Sequence, residues 1–184
     1  MQNPNTKDDL EVLFQIIDKK IDFKVILVSI GGTALTLMNI KEFSYDIDLI
    51  LVSAENLDKF NQIYYETIKE LGLPQGEHPL FMDFDISLLN ITDYLQKSNL
   101  VTNISLKNVI LYTMNILDIL LSKNFRGHPK DKDDIILILN TKKVFKADLF
   151  KRYIELLKQQ DLDIRLEFDK KYPEFMKDFG HLLY

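Results

Sequence analysis

Two consecutive glycines at the end of a short apolar run constrain the fold of this chain more than any other feature. The run, residues 25–30, is rich in β-branched side chains, is almost wholly apolar and ends at Gly31-Gly32. Such a run predicts a buried strand, and residues 33–38 then predict a short helix. The turn would direct backbone N–H groups and the positive end of the helix toward a ligand, and a phosphate would fit there. The alternative is an ordinary strand-to-helix turn.

Two aspartates follow in the next apolar stretch. Asp46 and Asp48 lie on a strand predicted over residues 45–52. Residues two apart on a strand face the same side, with Cα atoms roughly 6.5–7 Å apart. Two carboxylates at that spacing suit Mg²⁺, which prefers one or two carboxylates completed by water and substrate phosphate. In the alternative interpretation both side chains face solvent on an antiparallel strand.

The remaining periodicities predict an α/β fold with a small mixed sheet, flanking helices and a helical C-terminal part. We expect residues 1–114 to form the α/β core and residues 115–184 to pack on it as one compact unit. Further helices are predicted over residues 6–20, 54–71, 116–124, 131–140, 147–160 and 164–171, and further strands over 82–89, 104–106 and 109–112. Ser53 is the predicted cap of the second of these helices, and Pro173 is predicted to begin a final short segment.

Composition excludes several classes of protein. The 184 residues are 46% hydrophobic and 28% charged, which is too apolar for a disordered chain, and no uncharged apolar run is long enough for a membrane span. Cysteine is absent, so disulfides, thiol nucleophiles and thiolate zinc sites are excluded. The first ten residues lack the pattern of a signal peptide, and we therefore expect a cytoplasmic protein without a membrane partner.

The glycine turn and the paired acids together resemble a known signature. Residues 31–35 (GGTAL) and 44–49 (SYDIDL) are similar to the nucleotidyltransferase superfamily, and most of all to the AbiEii-type toxin-like proteins of bacteria and archaea. The resemblance implies that the turn holds nucleotide phosphates and that the paired acids bind Mg²⁺ or Mn²⁺. The implied nucleotide-binding residues are Gly31, Gly32, Thr33 and Ser44. Many active members have serine where this chain has Gly32.

The superfamily usually adds a third carboxylate from a neighbouring strand. Asp85, within the alternating residues 82–88, is the candidate here. It would complete a metal site with Asp46 and Asp48, or act as general base for an attacking hydroxyl. The alternative is a surface residue of an edge strand.

Two later segments resemble further motifs of AbiEii-type proteins, in which a helical lysine and a following acid belong to the active site. The corresponding residues are Lys123 and either Asp131 or Asp134. Lys123 lies on a face predicted to be buried, and we expect its ammonium to extend toward the Asp46 and Asp48 cleft. The alternatives are a solvated lysine, and Asp131 as a helix N-cap with Asp134 at the third helical position.

These inferences converge on one expected activity: metal-dependent transfer of a nucleoside monophosphate from an NTP to an acceptor hydroxyl or phosphate, with release of pyrophosphate. One alternative is a toxin-like enzyme whose acceptor is tRNA or a protein, with an antitoxin as its partner. The other is a catalytically silent binding module with the same fold, which the glycine at position 32 would favour.

Overall fold

The computed structural model describes residues 5–73, 80–81 and 91–184, with the backbone alone for residues 80–81. The predicted strand over residues 82–89, and Asp85 with it, lies outside the described residues. The chain divides into two compact units. Among the described residues the first holds 5–73, 80–81 and 95–114, and the second holds 91–94 and 115–184.

The first unit is built around a mixed sheet. Its elements in chain order are β1 (Asn5–Thr6), α1 (Lys7–Lys20), β2 (Val25–Ser29), α2 (Gly31–Leu37), β3 (Phe43–Ser44), β4 (Leu49–Ala54), α3 (Leu57–Leu71), β5 (Leu80–Phe81), α4 (Tyr94–Lys97, whose first residue falls in the second unit), β6 (Asn99–Leu100) and β7 (Val109–Thr113). The main sheet has the order β5-β4-β2-β7-β6, and β1 and β3 form a separate antiparallel pair. Strand β2 is antiparallel to β4 and parallel to β7. The predicted α/β class and mixed sheet are confirmed.

Helix α1 is held at both ends by side-chain to backbone hydrogen bonds. At its start the Thr6 backbone N–H donates to Asp9 Oδ2 at 2.9 Å, and the Asp9 N–H donates to Thr6 Oγ1 at 3.3 Å. Near its end the Asp18 carboxylate accepts three consecutive backbone N–H groups, those of residues 107–109. The second contact fixes α1 to the start of β7, and the two elements are about ninety residues apart in the sequence.

The second unit is helical. It contains α5 (Ile116–Arg126), α6 (Pro129–Thr141), α7 (Lys146–Gln159), α8 (Leu162–Phe179) and a short 3₁₀-helix, Gly180–Leu182. Aromatic rings pack between α7 and α8: Tyr153 stacks on Tyr172 with ring centroids 4.0 Å apart, and Phe168 lies 5.1 Å from Tyr153. These contacts join the two helices.

Several element boundaries differ from those predicted. Strand β4 begins at Leu49 rather than at residue 45 and continues to Ala54, which pairs with Val25, so Ser53 belongs to a strand and Asn56 caps α3 instead. The strand predicted over residues 104–106 is wrong, since these residues form no regular element.

The prediction that Pro173 begins a separate short segment is wrong, because this proline lies inside α8. Both sides of the proline are packed in the core: Tyr172 and Phe175 are buried. This apolar packing continues the helix past the hydrogen bond that proline removes.

Candidate functional site

The glycine turn between β2 and α2 has a backbone conformation that favours glycine. Gly31 has φ +52°, in the left-handed region that residues with a Cβ rarely adopt. Helix α2 begins at Gly31 itself, two residues earlier than predicted, and Ile30 at its N-cap makes no side-chain capping bond. The first turn of α2 is therefore made of Gly31, Gly32 and Thr33.

The acidic segment is fixed to this turn by Thr33. The Thr33 hydroxyl donates to the backbone carbonyl of Asp46 at 3.1 Å and accepts the backbone N–H of Asp48 at 2.9 Å. The Ile30 N–H also donates to the Asp48 carbonyl at 3.1 Å. Both aspartates lie just before β4 and not on it, and Thr33 is fully buried. The Thr33 hydroxyl thus holds the backbone of both acidic residues beside the turn. Its expected contact with phosphate stays a prediction.

The carboxylate of Asp48 lies against the glycine turn. A Cβ on Gly31 would lie 3.1 Å from Asp48 Oδ2, which is closer than nearly all Cβ contacts. Asp46 and Asp48 are both half-buried. The fold therefore brings one of the predicted acids to the predicted turn and fixes the backbone of the other beside it.

Gly32 is closely approached by a different side chain. A Cβ at this position would lie 2.6 Å from the hydroxyl oxygen of Ser44, on β3. Ser44 is nearly buried and pairs across the small sheet with Asn5. The sequence predicted a role for Ser44 but not its position, because the contact depends on how β3 approaches α2.

Tyr64 is a further residue near the acids, and the sequence indicated only that it belongs to the apolar stripe of α3. It is fully buried. Burial raises the pKa of its phenol above the ordinary value, and the charges of Tyr65 and Asp48 raise it further. The phenol therefore stays protonated. Asp48 is close enough for its charge to contribute to the raised pKa.

The two acids beside the turn carry hard oxygen donors of the kind that a divalent cation takes. Among the described residues no group of three or more His, Asp or Glu side chains could hold a metal ion. Two carboxylates are nevertheless the usual protein share of a Mg²⁺ site whose other ligands are water and phosphate. Asp46 and Asp48 are the residues that would hold the ion.

A second group of predicted residues comes together within the helical unit. Lys123 Nζ, on α5, lies 2.6 Å from Asp134 Oδ2 and 3.2 Å from Asp131 Oδ1, and both acids are on α6. All three side chains are at least nine-tenths buried. The predicted burial of Lys123 is confirmed. Its ammonium is paired with Asp131 and Asp134 because α6 supplies carboxylates on the neighbouring helix. Its approach to the acids of the first unit stays a prediction.

Asp131 has two cationic partners. Arg126 donates to it through Nε at 2.8 Å and through Nη2 at 2.5 Å. Burial alone would raise the pKa of Asp131, but Arg126 and Lys123 outweigh it and hold the pKa below the ordinary value. Asp131 is the third residue of α6 and its carboxylate accepts the His128 N–H at 3.2 Å, so His128, not Asp131, is the N-cap.

A second ionic cluster in this unit was not predicted. Arg152, on α7, donates to Asp118 at 2.5 and 3.0 Å and to Asp93 at 2.8 Å through two nitrogens. Burial alone would lower the pKa of this guanidinium, but the acids raise it, and Arg152 lowers the pKa of Asp93 to about 2. Since Asp93 precedes α5 by more than twenty residues, no local pattern connects the three.

The predicted site residues are therefore distributed over two groups, each inside one unit. Gly31, Gly32, Thr33, Ser44, Asp46 and Asp48 lie together in the first, and Lys123, Asp131 and Asp134 lie together in the second. Asp85 is outside the described residues.

No helix in the described part of the chain is long and apolar enough to span a membrane.

Comparison with known proteins identifies the family of this chain. Neither the curated proteins nor the solved structures include a match to this chain. One family model matches residues 8–179, nearly the whole chain, and it is described as a nucleotidyltransferase of unknown function, DUF6036. The matched region contains the glycine turn, the acidic segment and the Lys123 cluster. The chain therefore belongs to the DUF6036 family of nucleotidyltransferases.

Proposed function

We propose that this protein transfers a nucleoside monophosphate from an NTP to an acceptor hydroxyl or phosphate, with Mg²⁺ or Mn²⁺ as cofactor. In this reaction an acceptor oxygen bonds to the α-phosphorus, the bond from that phosphorus to the bridging oxygen of the β-phosphate breaks, and pyrophosphate leaves. The family supports transfer of a nucleotidyl group. The metal, the NTP and the acceptor are the proposed parts.

The observation that carries the proposal is the contact between the Asp48 carboxylate and Gly31. Because Gly31 has no Cβ, the Asp48 carboxylate lies close to the first residue of α2. Its Oδ2 is 3.1 Å from the position that a Cβ on Gly31 would take. A triphosphate bound at the turn would then lie beside the carboxylates, and Asp46 and Asp48 would hold a divalent cation there. Such a cation neutralises phosphate charge and orients the reacting oxygens.

The residues of the chain have separate roles in this scheme. Gly31 and Gly32 let the phosphates approach the backbone, and Ser44 presents a hydroxyl beside them. Asp46 and Asp48 bind the cation. Thr33 positions both residues, because its hydroxyl is hydrogen-bonded to their backbone. Asp85 is the proposed general base or third metal ligand. It accepts the proton of an attacking hydroxyl, which then bonds to the α-phosphorus.

The AbiEii-like specificity is a finer proposal that rests on the second unit. Lys123, Asp131 and Asp134 form a buried ionic cluster made of the residue types that the resemblance assigns to the active site. In this proposal the acceptor is tRNA or a protein, and an antitoxin is the partner. In this proposal the two acids orient the ammonium, and the ammonium would neutralise phosphate charge.

The test is to incubate the protein with each α-labelled NTP, Mg²⁺ or Mn²⁺ and candidate acceptors, including bulk tRNA and a protein extract. We expect label to move to one acceptor class and pyrophosphate to appear in equal amount. The matched control is Asp48→Asn, which should transfer no label. Metal-dependent NTP binding without transfer to any acceptor would favour the silent binding module, and no NTP binding at all would contradict both.

A further inference from the structure

The connection between α6 and α7 carries positive charge in a chain that is acidic overall. The protein has a net charge of −5, yet residues 135–147 contain three lysines and no acidic residue. The three are Lys142, Lys143 and Lys146, and all of them are exposed. The next acid along the chain is Asp148. This connection therefore presents a local excess of positive charge to solvent.

Two aromatic residues accompany these lysines, and backbone hydrogen bonds hold their segments together. The Lys146 N–H donates to the Tyr184 carbonyl at 2.9 Å, and the Tyr184 N–H donates to the Val144 carbonyl at 3.0 Å. Val144 and Leu183 are buried, whereas Phe145 is 46% exposed and Tyr184 is 62% exposed. The two rings therefore stand on the solvent side of segments whose neighbouring residues are anchored in the core.

The rings and one lysine form a cluster that exists without a ligand. The ring centroids of Phe145 and Tyr184 are 6.2 Å apart, with an angle of 61° between the planes. Lys143 Nζ lies 5.1 Å from the Phe145 centroid and 4.8 Å from the Tyr184 centroid, and both distances are those of a cation–π contact. Because the groups are already held together, a ligand that binds them has less ordering to impose.

We propose that this aromatic–lysine surface, made of Lys142, Lys143, Phe145, Lys146 and Tyr184, binds single-stranded nucleic acid. Bases stack on the exposed rings, and the lysines pair with the phosphates that connect those bases. This combination of stacking and charge is how proteins hold single strands without reading their sequence. The surface lies wholly in the second unit, and its binding of a strand needs neither NTP nor metal, so it does not depend on the proposed transfer reaction.

The chemistry of the surface favours a single strand over other partners. Lysine is depleted in protein–protein interfaces, whereas here Lys143 and Lys146 flank Phe145, and the Lys143 ammonium lies over both rings. A duplex keeps the faces of its bases stacked on one another and would leave the rings without partners. A polyanion without bases would meet the lysines alone. Single strands should therefore bind more tightly than either.

Fluorescence anisotropy without NTP or metal tests the binding itself. The probe is labelled oligoadenylate RNA of about 15 nucleotides, and the comparisons are its duplex with oligouridylate and polyglutamate of similar charge. We expect the single strand to bind at least about tenfold more tightly than the duplex or the polyglutamate, because only the single strand offers free base faces. No binding of the single strand at low salt, or equal binding of either comparison, would overturn the proposal.

Two substitutions of Tyr184 separate stacking from simple packing. Tyr184→Phe keeps the ring and should bind the strand within about twofold of the wild type, whereas Tyr184→Leu keeps apolar bulk without a ring and should bind about 5- to 100-fold more weakly, the effect of one stacked base. Phe145→Leu repeats the test at the other ring, and thermal unfolding checks that each variant folds. Tyr65→Ala removes an exposed tyrosine of α3, in the first unit, and should bind like the wild type. Equal affinity of the phenylalanine and leucine variants would overturn the proposal.

The salt dependence of binding tests the lysines. Each phosphate contact that is lost should reduce the slope of log K against log salt concentration by about 0.7, so Lys142→Gln with Lys146→Gln should reduce it by about 1.4. Lys158→Gln removes an exposed lysine from the other end of α7 and should leave the slope unchanged. An unchanged slope in the double variant would show that these lysines do not meet phosphates, and it would overturn this assignment of the surface.

Discussion

Asp48 Oδ2 lies 3.1 Å from the position that a Cβ on Gly31 would occupy, so a side chain at residue 31 would press on this carboxylate. Gly31 has a left-handed φ, and the absence of its side chain leaves room for this approach. The relationship joins the two halves of the predicted motif, residues 31–35 and 44–49, into one local arrangement. The first two predictions below test it.

Gly31→Ala should disrupt ligand binding more than it disrupts folding. The left-handed φ alone should cost about 1–2 kcal/mol of stability, and the new methyl group should displace the Asp48 carboxylate. Gly72→Ala is the matched control, since Gly72 has φ +63° and nothing within 4 Å of its missing Cβ. Denaturant unfolding should give similar losses for both variants, whereas calorimetry should show weakened Mg²⁺-NTP binding for Gly31→Ala alone. Equal binding by both would contradict the contact.

Asp48→Asn should abolish metal-dependent nucleotide binding and transfer while the fold is retained. The substitution removes a ligand charge but keeps nearly the same volume. Relief of repulsion from Asp46 should leave the free energy of unfolding unchanged or slightly higher in the metal-free protein. Asp58→Asn, an exposed acid at the start of α3, is the control. Unchanged activity of Asp48→Asn with the same NTP would remove this residue from the metal site.

Lys123→Met should destabilise the protein by about 3–5 kcal/mol, because it leaves two buried carboxylates without their shared cation. Lys132→Met, at an exposed position of α6, should change stability little. Denaturant unfolding at neutral pH measures both. If the finer functional proposal holds, Lys123→Met with Asp134→Asn should recover part of the stability but none of the transfer activity. Recovery of both would limit Lys123 to a structural role.

Asp18 should make stability depend on pH in the acid range. Burial alone would raise its pKa, but the three backbone N–H groups and Lys24 lower it below the ordinary 3.8. The stabilisation is therefore complete above the ordinary carboxyl pKa and is lost as the pH falls through the lower folded value. The difference in unfolding free energy between wild type and Asp18→Asn should be about 2 kcal/mol at neutral pH and shrink toward pH 3. Asp8→Asn, exposed on the same helix, should show no comparable trend.

Local sequence patterns were sufficient for the elements that lead to the site. A β-branched apolar run, two glycines and an amphipathic stripe each determine conformation over a few residues, so β2, the turn and helices such as α1 were predictable. The same patterns failed where long-range pairing decided the result. Ala54 joined a strand because Val25 pairs with it, and Pro173 stayed helical because the aromatic residues around it are buried.

The sequence by itself determined the candidate residues, since paired aspartates after a glycine turn are visible without coordinates. Only the tertiary structure decided their partners. It placed the Ser44 hydroxyl where Gly32 has no side chain, and it directed Lys123 to Asp131 and Asp134. The physical reason is that a hydrogen bond or ion pair depends on distances of a few ångströms between distant parts of the chain. Strand register and helix packing set those distances, and neither is encoded by spacing along the sequence.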